Sequence, residues 1–277
     1  MEVTWFGTAS IRLRIQELVL LFDPFVPLPK ASYSLTAERF LPAPYVFITH
    51  GHFDHVYSVP DLVKAGAGNV FATKSPCAAL NRKGVSSETL RCIRPNDTFH
   101  FSATSGTQVH AASLTSSDTA SDLVTVTVRR SRHIRFDVPY VLSTLFNRRV
   151  LQYFDNTRTI LRENRLFKEN NETVLFEISY DNRTVAVLGS LALVDEETYA
   201  QGSDLLVLPY QGHSRLKSIA LSIIERLKPR RVLLSHFDDS FPPVSRDIDT
   251  TPLVEALEQL HPEIQVIIPI RGTVYHF

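Results

Sequence analysis

The stretch YVFITHGHFDH, residues 45–55, constrains this chain more than any other. YVFIT is a compact β-branched and aromatic run, the composition of a buried strand. Three of the ten histidines and one aspartate then crowd into residues 50–55. His50, His52, Asp54 and His55 therefore sit at the C-terminal end of a strand, where layered α/β folds commonly place their sites. Four such donors can feed two metal centres yet satisfy neither. A tetrahedral catalytic ion takes about three protein ligands and keeps one position open. Further ligands must come from remote sequence. The competing reading is a polar turn with surface histidines, and it gives no reason for donors to crowd behind an apolar strand.

EVTWFG, IRLRI and LVLLFD predict a β-meander at the N-terminus. A proline-rich loop follows, then YVFIT. VPDLVKAGAG and SPCAALNRKG predict helices on either side of the strand NVFAT, and further strands end in the alternating LVTVTV. Residues 137–171 mix aromatics with arginines at roughly helical spacing, which predicts a helical insertion within a single domain spanning 1–277. Strand character returns with TVLFEISY, RTVAVLGS and DLLVLP. The helix SRLKSIALSIIERLK, the strand RRVLLSH, a helix near residues 250–260 and the strands IQVIIP and GTVYHF complete the chain. This order suits two sheets packed face to face and covered by helices.

THGHFDH matches the H-x-H-x-D-H signature of the metallo-β-lactamase superfamily. WFGTASIRLRI followed by LLFDPF resembles the opening of that superfamily, especially of its ascorbate-6-phosphate lactonase-like branch. LLVLPYQGHS and PRRVLLSHFDDSFPP resemble later landmarks of the same branch. The resemblance touches most of the chain outside the helical insertion. It implies an α/β fold, a four-layer αββα sandwich with a metal site at one edge between the sheets. It also implies a ligand set. His236, ending VLLSH, matches the last histidine. The middle one is His133, just beyond VTVTV, with His110 in GTQVHAAS as the alternative; His100 in DTFHFS reads as a strand side chain. The two sets are then His50, His52 and His133, and Asp54, His55 and His236. One departure stands out: Gly189-Ser190 occupies the place where the family usually has Gly-Asp, whose carboxylate bridges two metals. A zinc β-lactamase subclass with serine there still holds two zincs, so the resemblance keeps the metal site and leaves one or two ions open. Asp238 or Asp239 would be a substitute carboxylate, against surface or capping roles.

The cofactor implied is Zn2+, one ion or two. Neutral imidazoles also suit Mn2+, Fe2+ or Ni2+. A bound zinc brings the pKa of its water to about 7, which permits hydrolysis of an ester, lactone, amide or phosphodiester at neutral pH. Asp54 and His213 are the catalytic candidates, Asp54 by orienting that water and His213 of YQGHS by giving a proton or touching substrate. Asp23 in FDPF either holds a ligating histidine or simply forms a turn. Arg129, Arg130, Arg132 and Arg135 flank His133, and five more arginines occupy 148–165. They form either an anion-binding rim or a solvated face with ion pairs. Tyr140, Phe146, Tyr153, Phe154 and Phe167 predict insertion core or a contact between subunits of a homo-oligomer rather than a substrate cage.

Lys plus Arg and Asp plus Glu each number 29, so overall charge supports neither a nucleic-acid nor an anionic-membrane partner. No apolar run reaches the roughly 18–20 residues of a membrane span, and MEVTWFGTAS lacks the basic and apolar regions of a signal peptide. Cys77 and Cys92 make a poor disulfide framework. A cytoplasmic hydrolase of a small, soluble, anionic or neutral substrate is the expectation. The competing readings are a non-catalytic metal-binding relative and a nuclease or phosphodiesterase of the same superfamily.

Overall fold

The computed structural model describes residues 1–109 and 122–277. One sheet begins with the meander β1 (Glu2–Gly7), β2 (Ser10–Ile15) and β3 (Leu18–Phe22), and continues through β4 (Tyr45–Phe47), β5 (Asn69–Ala72) and β6 (Leu90–Cys92). The meander is antiparallel and β3 to β6 run parallel. Helices α1 (Phe53–Val56), α2 (Val59–Lys64) and α3 (Lys74–Arg82) serve the parallel crossovers. The second sheet holds β7 (Thr98–Ser102), β8 (Gln108–Val109), β9 (Leu123–Arg130), β10 (Val174–Tyr180), β11 (Arg183–Leu188), β12 (Leu205–Pro209), β13 (Arg231–Ser235) and β14 (Gln265–Ile267). Between β9 and β10 the chain forms α4 (Val138–Leu145), α5 (Arg149–Gln152) and α6 (Phe154–Glu163). Helix α7 (Leu216–Leu227) precedes β13 and α8 (Thr251–Leu260) precedes β14. The last strand, β15 (Val274–His276), leaves the second sheet and pairs antiparallel with β1.

Side-chain alternation builds the layers. Leu20 and Phe22 of β3 and Tyr45 and Phe47 of β4 point into one core shared with Phe176, Leu205, Val207 and Leu233 of the second sheet. Their sequence neighbours Leu21 and Val46 point the other way, onto Val59, Leu62 and Leu80 of α2 and α3. In the second sheet Leu206, Leu208, Val232 and Leu234 likewise turn outward, onto Ile223, Ile224 and Leu227 of α7 and Leu253 of α8. Helix, sheet, sheet, helix is therefore the layer order, the expected αββα sandwich. Strands buried on both faces read as continuous apolar runs, which is why LLVLP and RVLLS alternate so little.

Strands β1, β3, β4, β9, β11, β12 and β13 all end at one edge of the sandwich. Three residues just past such ends take left-handed backbone conformations: Thr8 (φ 48°), Asp23 (φ 44°) and His236 (φ 57°). A threonine or histidine held there costs of order 1–3 kcal/mol and persists only where its surroundings enforce it. Here they do: Trp5 Nε1 donates to Thr8 O at 2.8 Å, and His236 N donates to the same oxygen at 2.7 Å. These three positions lie at the edge where the histidines gather.

Candidate metal centre

Strand β4 delivers Thr49 and His50 to that edge, anchored by Ile48 N donating to Phe71 O at 2.8 Å and Val174 N donating to Thr49 O at 2.9 Å. His52 then sits at the N-cap of α1, a single helical turn that carries Asp54 and His55. Gly51, between the first two histidines, has no left-handed backbone. It is glycine because a Cβ there would run into the carbonyl of Lys168. His133 lies three residues beyond β9 on a loop pinned to its neighbours: Ser131 N donates to Thr173 O at 2.9 Å and Ile134 N to Ser190 Oγ at 3.1 Å. His236 follows β13 directly.

These placements produce two triads, His50, His52 and His133, and Asp54, His55 and His236. Within each, one donor atom per residue lies within 4.8 Å of the others. His50 Nε2 is 3.1 Å from His52 Nδ1; Asp54 Oδ2 is 2.9 Å from His236 Nε2 and 3.6 Å from His55 Nε2. Ligands about 2.0–2.1 Å from a tetrahedral ion stand roughly 3.3–3.4 Å apart, so these spacings are those of donors converging on a common centre.

The ring tautomers agree. Thr49 N–H and the Thr49 hydroxyl donate to Asp23 Oδ1 and Oδ2 at 2.8 and 2.6 Å. With its proton committed to Asp23, Thr49 Oγ1 accepts from His50 Nδ1 at 3.1 Å, which leaves Nε2 of His50 to face the triad. Asp23 Oδ2 also takes the Nδ1 proton of His55 at 2.9 Å. His133 Nδ1 donates to the Ile134 carbonyl at 2.7 Å, and His236 Nδ1 donates to Gln211 Oε1 at 2.9 Å. Such outer partners fix ring orientation and raise ligand basicity. Asp23, read from sequence as either a support or a turn-former, is thus a support, and its left-handed φ is part of how it gets there.

Protonation states are also those a cation needs. Burial, reinforced by the neighbouring imidazoles, pushes His50 well below the ordinary histidine range, and burial pushes His133 down to about 3. His52 is lowered mainly by burial too. These three rings are therefore neutral donors. Burial alone would raise Asp54, but His55 and His236 outweigh it and hold the carboxyl well below its usual range, so it is an anion. For His55 burial is outweighed by the Asp23 and Asp54 carboxylates, which raise its pKa. The three neutral imidazoles of the first triad and the Asp54 carboxylate of the second are donors a divalent cation takes, with proton competition as pH falls.

Both triads floor a cavity of about 180 Å³. Its walls are largely apolar: Ile134, Phe136, Leu191, Phe241 and Val244, joined by Tyr140 and Ile160 of the helical insertion. Ser190 Oγ, at the point where the sequence resemblance leads to the expectation of a bridging aspartate, lines the cavity and holds the Ile134 amide. The preceding Gly189 packs so tightly on Thr49 that a Cβ would overlap that side chain. Gly189→Ala should therefore displace Thr49 from Asp23 and destabilise the fold by about 1–3 kcal/mol, the usual range for overpacking; thermal unfolding of the two proteins checks it.

The other residues singled out in the sequence fall in different places. His213 does not line the cavity. Its Nδ1 accepts from Arg215 N at 3.0 Å and lies 3.7 Å from Asp137, tying a surface loop together. The residue that does reach in from that loop is Gln211, two positions earlier. No arginine lines the cavity among the described residues, so the anion-binding rim does not form there; Arg129 instead pairs with Glu177 at 2.8 Å. Neither Asp238 nor Asp239 substitutes for the missing carboxylate: Asp238 accepts from Thr8 N at 2.9 Å, and Asp239 pairs with Arg149. His100 stays on β7, beside Thr125. His110 lies outside the described residues.

Tyr140, read from sequence as core or subunit contact, is buried in the cavity wall, which Gln211 also lines. Burial raises its pKa, so the hydroxyl keeps its proton. No signal short of tertiary structure marks it, because aromatic spacing in a helix reads the same for a core, an interface or a cavity wall.

Comparison with known proteins agrees with the geometry. Residues 3–102 match the family model of the Metallo-beta-lactamase superfamily. A metal-dependent hydrolase of Methylocella silvestris is 36% identical over 85 residues, covering 30% of this chain and 36% of the relative. The chain spans little more than a third of the length of such curated relatives. Among solved structures, a metallo hydrolase from the archaeon Ignicoccus hospitalis superposes with a TM-score of 0.61 at 16% identity, covering 100% of this chain and 98% of that one. Zn2+-bound PqqB from Methylobacterium extorquens gives 0.57 at 14% identity, over 100% of both chains. At these identities the likeness is one of fold.

Proposed function

We propose that this chain, whose residues 3–102 match the metallo-β-lactamase superfamily model, is a metal-dependent hydrolase of that superfamily acting on a small ester, lactone or phosphodiester. The observation that carries the reading is the pair of triads on the floor of one open cavity. His50, His52 and His133 would hold one cation, and Asp54, His55 and His236 a second. A divalent ion in such a site supplies an ionised water near neutral pH and a Lewis acid for the substrate oxygen. Zinc is the preferred ion, on the strength of the imidazole-rich donor set; manganese, iron or nickel would suit the same ligands.

The chain's own residues do the rest. Asp54, anionic and buried, presents Oδ2 to the second triad and leaves its other oxygen to orient the attacking water. Tyr140 supplies a protonated hydroxyl in the wall, and Gln211 beside it in the lining holds His236. Apolar walls exclude bulk solvent and favour a substrate with hydrocarbon bulk beside its scissile group. Cys77 and Cys92 are free thiols, in keeping with the cytoplasmic location that forms part of this proposal.

A non-catalytic metal-binding role predicts closed coordination, and the cavity directly above both triads argues against it. The test is a panel of lactones, thioesters and phosphodiesters offered to protein reconstituted with each metal. Turnover that tracks metal content supports the reading; bound metal with no turnover on any class sinks it. Chelation gives a second check. A ligand bound at 100 times its Kd stabilises the native state by about 2.7 kcal/mol. Stripping the metal should therefore lower the melting temperature by roughly 5 °C or more, given about 2–4 °C per kcal/mol for domains approaching this size.

A further inference from the structure

Helix α6 sorts its residues by face. Asn156, Ile160 and Glu163, at i, i+4 and i+7, are buried, with Asn156 Nδ2 donating to Pro29 O at 2.8 Å and Glu163 paired to Lys83 at 2.7 Å. On the opposite side Phe154, Arg158 and Leu161 repeat the same spacing and are all exposed, and Arg165, two residues past the helix end, is exposed too. An outward face of alternating hydrocarbon and guanidinium is unusual for a helix that merely meets water. The rest of the insertion is also exposed and apolar: Val138 and Leu142 of α4, Phe146 just beyond, and Leu151 of α5, which is 81% exposed. Seven of the eleven exposed large apolar side chains among the described residues lie between positions 136 and 161. Singly exposed apolar residues need no explanation, but so many gathered in one short segment do.

Charge is segregated in the same place. Residues 148–165 contain five arginines, no lysine and two acidic residues, in a chain whose formal charge sums to zero. The neutrality that spoke against an anionic partner averages over this contrast. Arg149 and Arg162 are committed to Asp239 and Glu163. Arg148, Arg158 and Arg165 make no ion pair among the described residues.

We propose that this face of the insertion is a docking surface for an anionic lipid bilayer. A second copy of the chain would set one arginine-rich face against another. A nucleic acid would satisfy the guanidiniums and leave the apolar side chains against a polar backbone. An anionic bilayer takes both, with hydrocarbon at the headgroup–acyl boundary and arginines on the lipid phosphates. Phe136 and Tyr140, which open the same segment, also wall the cavity, so docking brings its mouth to the lipid surface. The proposal goes beyond the hydrolase reading and does not depend on it.

Co-sedimentation of the full chain with vesicles tests it, using phosphatidylcholine alone or with about 30 mol % phosphatidylglycerol. Binding should appear with the anionic vesicles and fall at high salt, where the screening length shrinks to about 3 Å. Arg158→Glu with Arg165→Glu should weaken it by about fivefold or more per arginine. Leu151→Glu with Leu161→Glu should weaken it by at least about tenfold. All four positions are exposed, and unchanged melting temperatures would show that the fold is intact. Absence of binding to anionic vesicles, or equal binding by both double variants, overturns the proposal. So does a dimer that Leu151→Glu with Leu161→Glu converts to monomer, or RNA binding through Arg158 and Arg165 without vesicle binding.

Discussion

His52→Ala is expected to lose about one metal ion per chain and to lower kcat/KM by more than about a hundredfold, beyond the 10–100-fold typical of removing a partner that only supports a ligand. The choice of residue matters. His50 and His55 are 1% exposed, so truncating either would leave a hole among packed rings and confuse lost metal with lost stability. His52 is only partly buried, at the N-cap of α1, and its Nδ1 lies 3.1 Å from His50 Nε2. Its removal takes away a donor and little packing. Elemental analysis of the purified variant, with turnover on whichever substrate class the wild-type protein hydrolyses, measures both effects. Full metal content and wild-type turnover in the variant would remove the chemistry assigned to the first triad.

Asp23→Ala should produce the second large effect, through stability and metal affinity together. Asp23 is 1% exposed and accepts three hydrogen bonds, from the Thr49 amide, the Thr49 hydroxyl and His55 Nδ1. Each buried donor left without a partner costs about 1–3 kcal/mol. Alanine also tolerates the left-handed backbone of this position less well than aspartate or asparagine. A loss of about 3–5 kcal/mol is expected, with a 10–100-fold fall in metal affinity as His55 loses its orientation. Asp23→Asn separates the two contributions. It retains an acceptor for the Thr49 amide and suits the backbone, but its amide NH2 would confront the His55 Nδ1 proton or force the other tautomer. Most of the stability should return and the metal affinity should not. Competition with a chromophoric chelator, alongside thermal unfolding, reads both; recovery of affinity in the asparagine variant would show that Asp23 acts only as a backbone prop.

What could be read without coordinates was whatever depends on short separation or on one strand's burial pattern. His50, His52, Asp54 and His55 are covalently close behind an apolar run, so their convergence needs only a strand end and one helical turn. Apolar runs such as LLVLP and RVLLS announce strands covered on both faces, and the amphipathic pattern of 216–227 announces a covering helix. Those signals, with the family signature, were sufficient for the layered fold. His133 and His236 could be nominated only by resemblance, because nothing local distinguishes a histidine after one strand from His100 within another.

The folded arrangement alone decided the rest. The last strand could have extended the second sheet, yet β15 crosses to β1, a choice made by edge pairing between residues 270 to 274 positions apart. Asp23 became a ligand support because the ends of β3 and β4 lie side by side. Gln211 displaced His213 as the residue at the cavity, since a shift of two positions around a loop reverses which side chain faces inward. The insertion acquired two roles that composition cannot separate: Tyr140 and Ile160 turn into the cavity wall, while Phe154, Arg158, Leu161 and Arg165 face away from it. Periodicity tells which residues share a face of a helix. Only packing against the rest of the chain determines which face is covered.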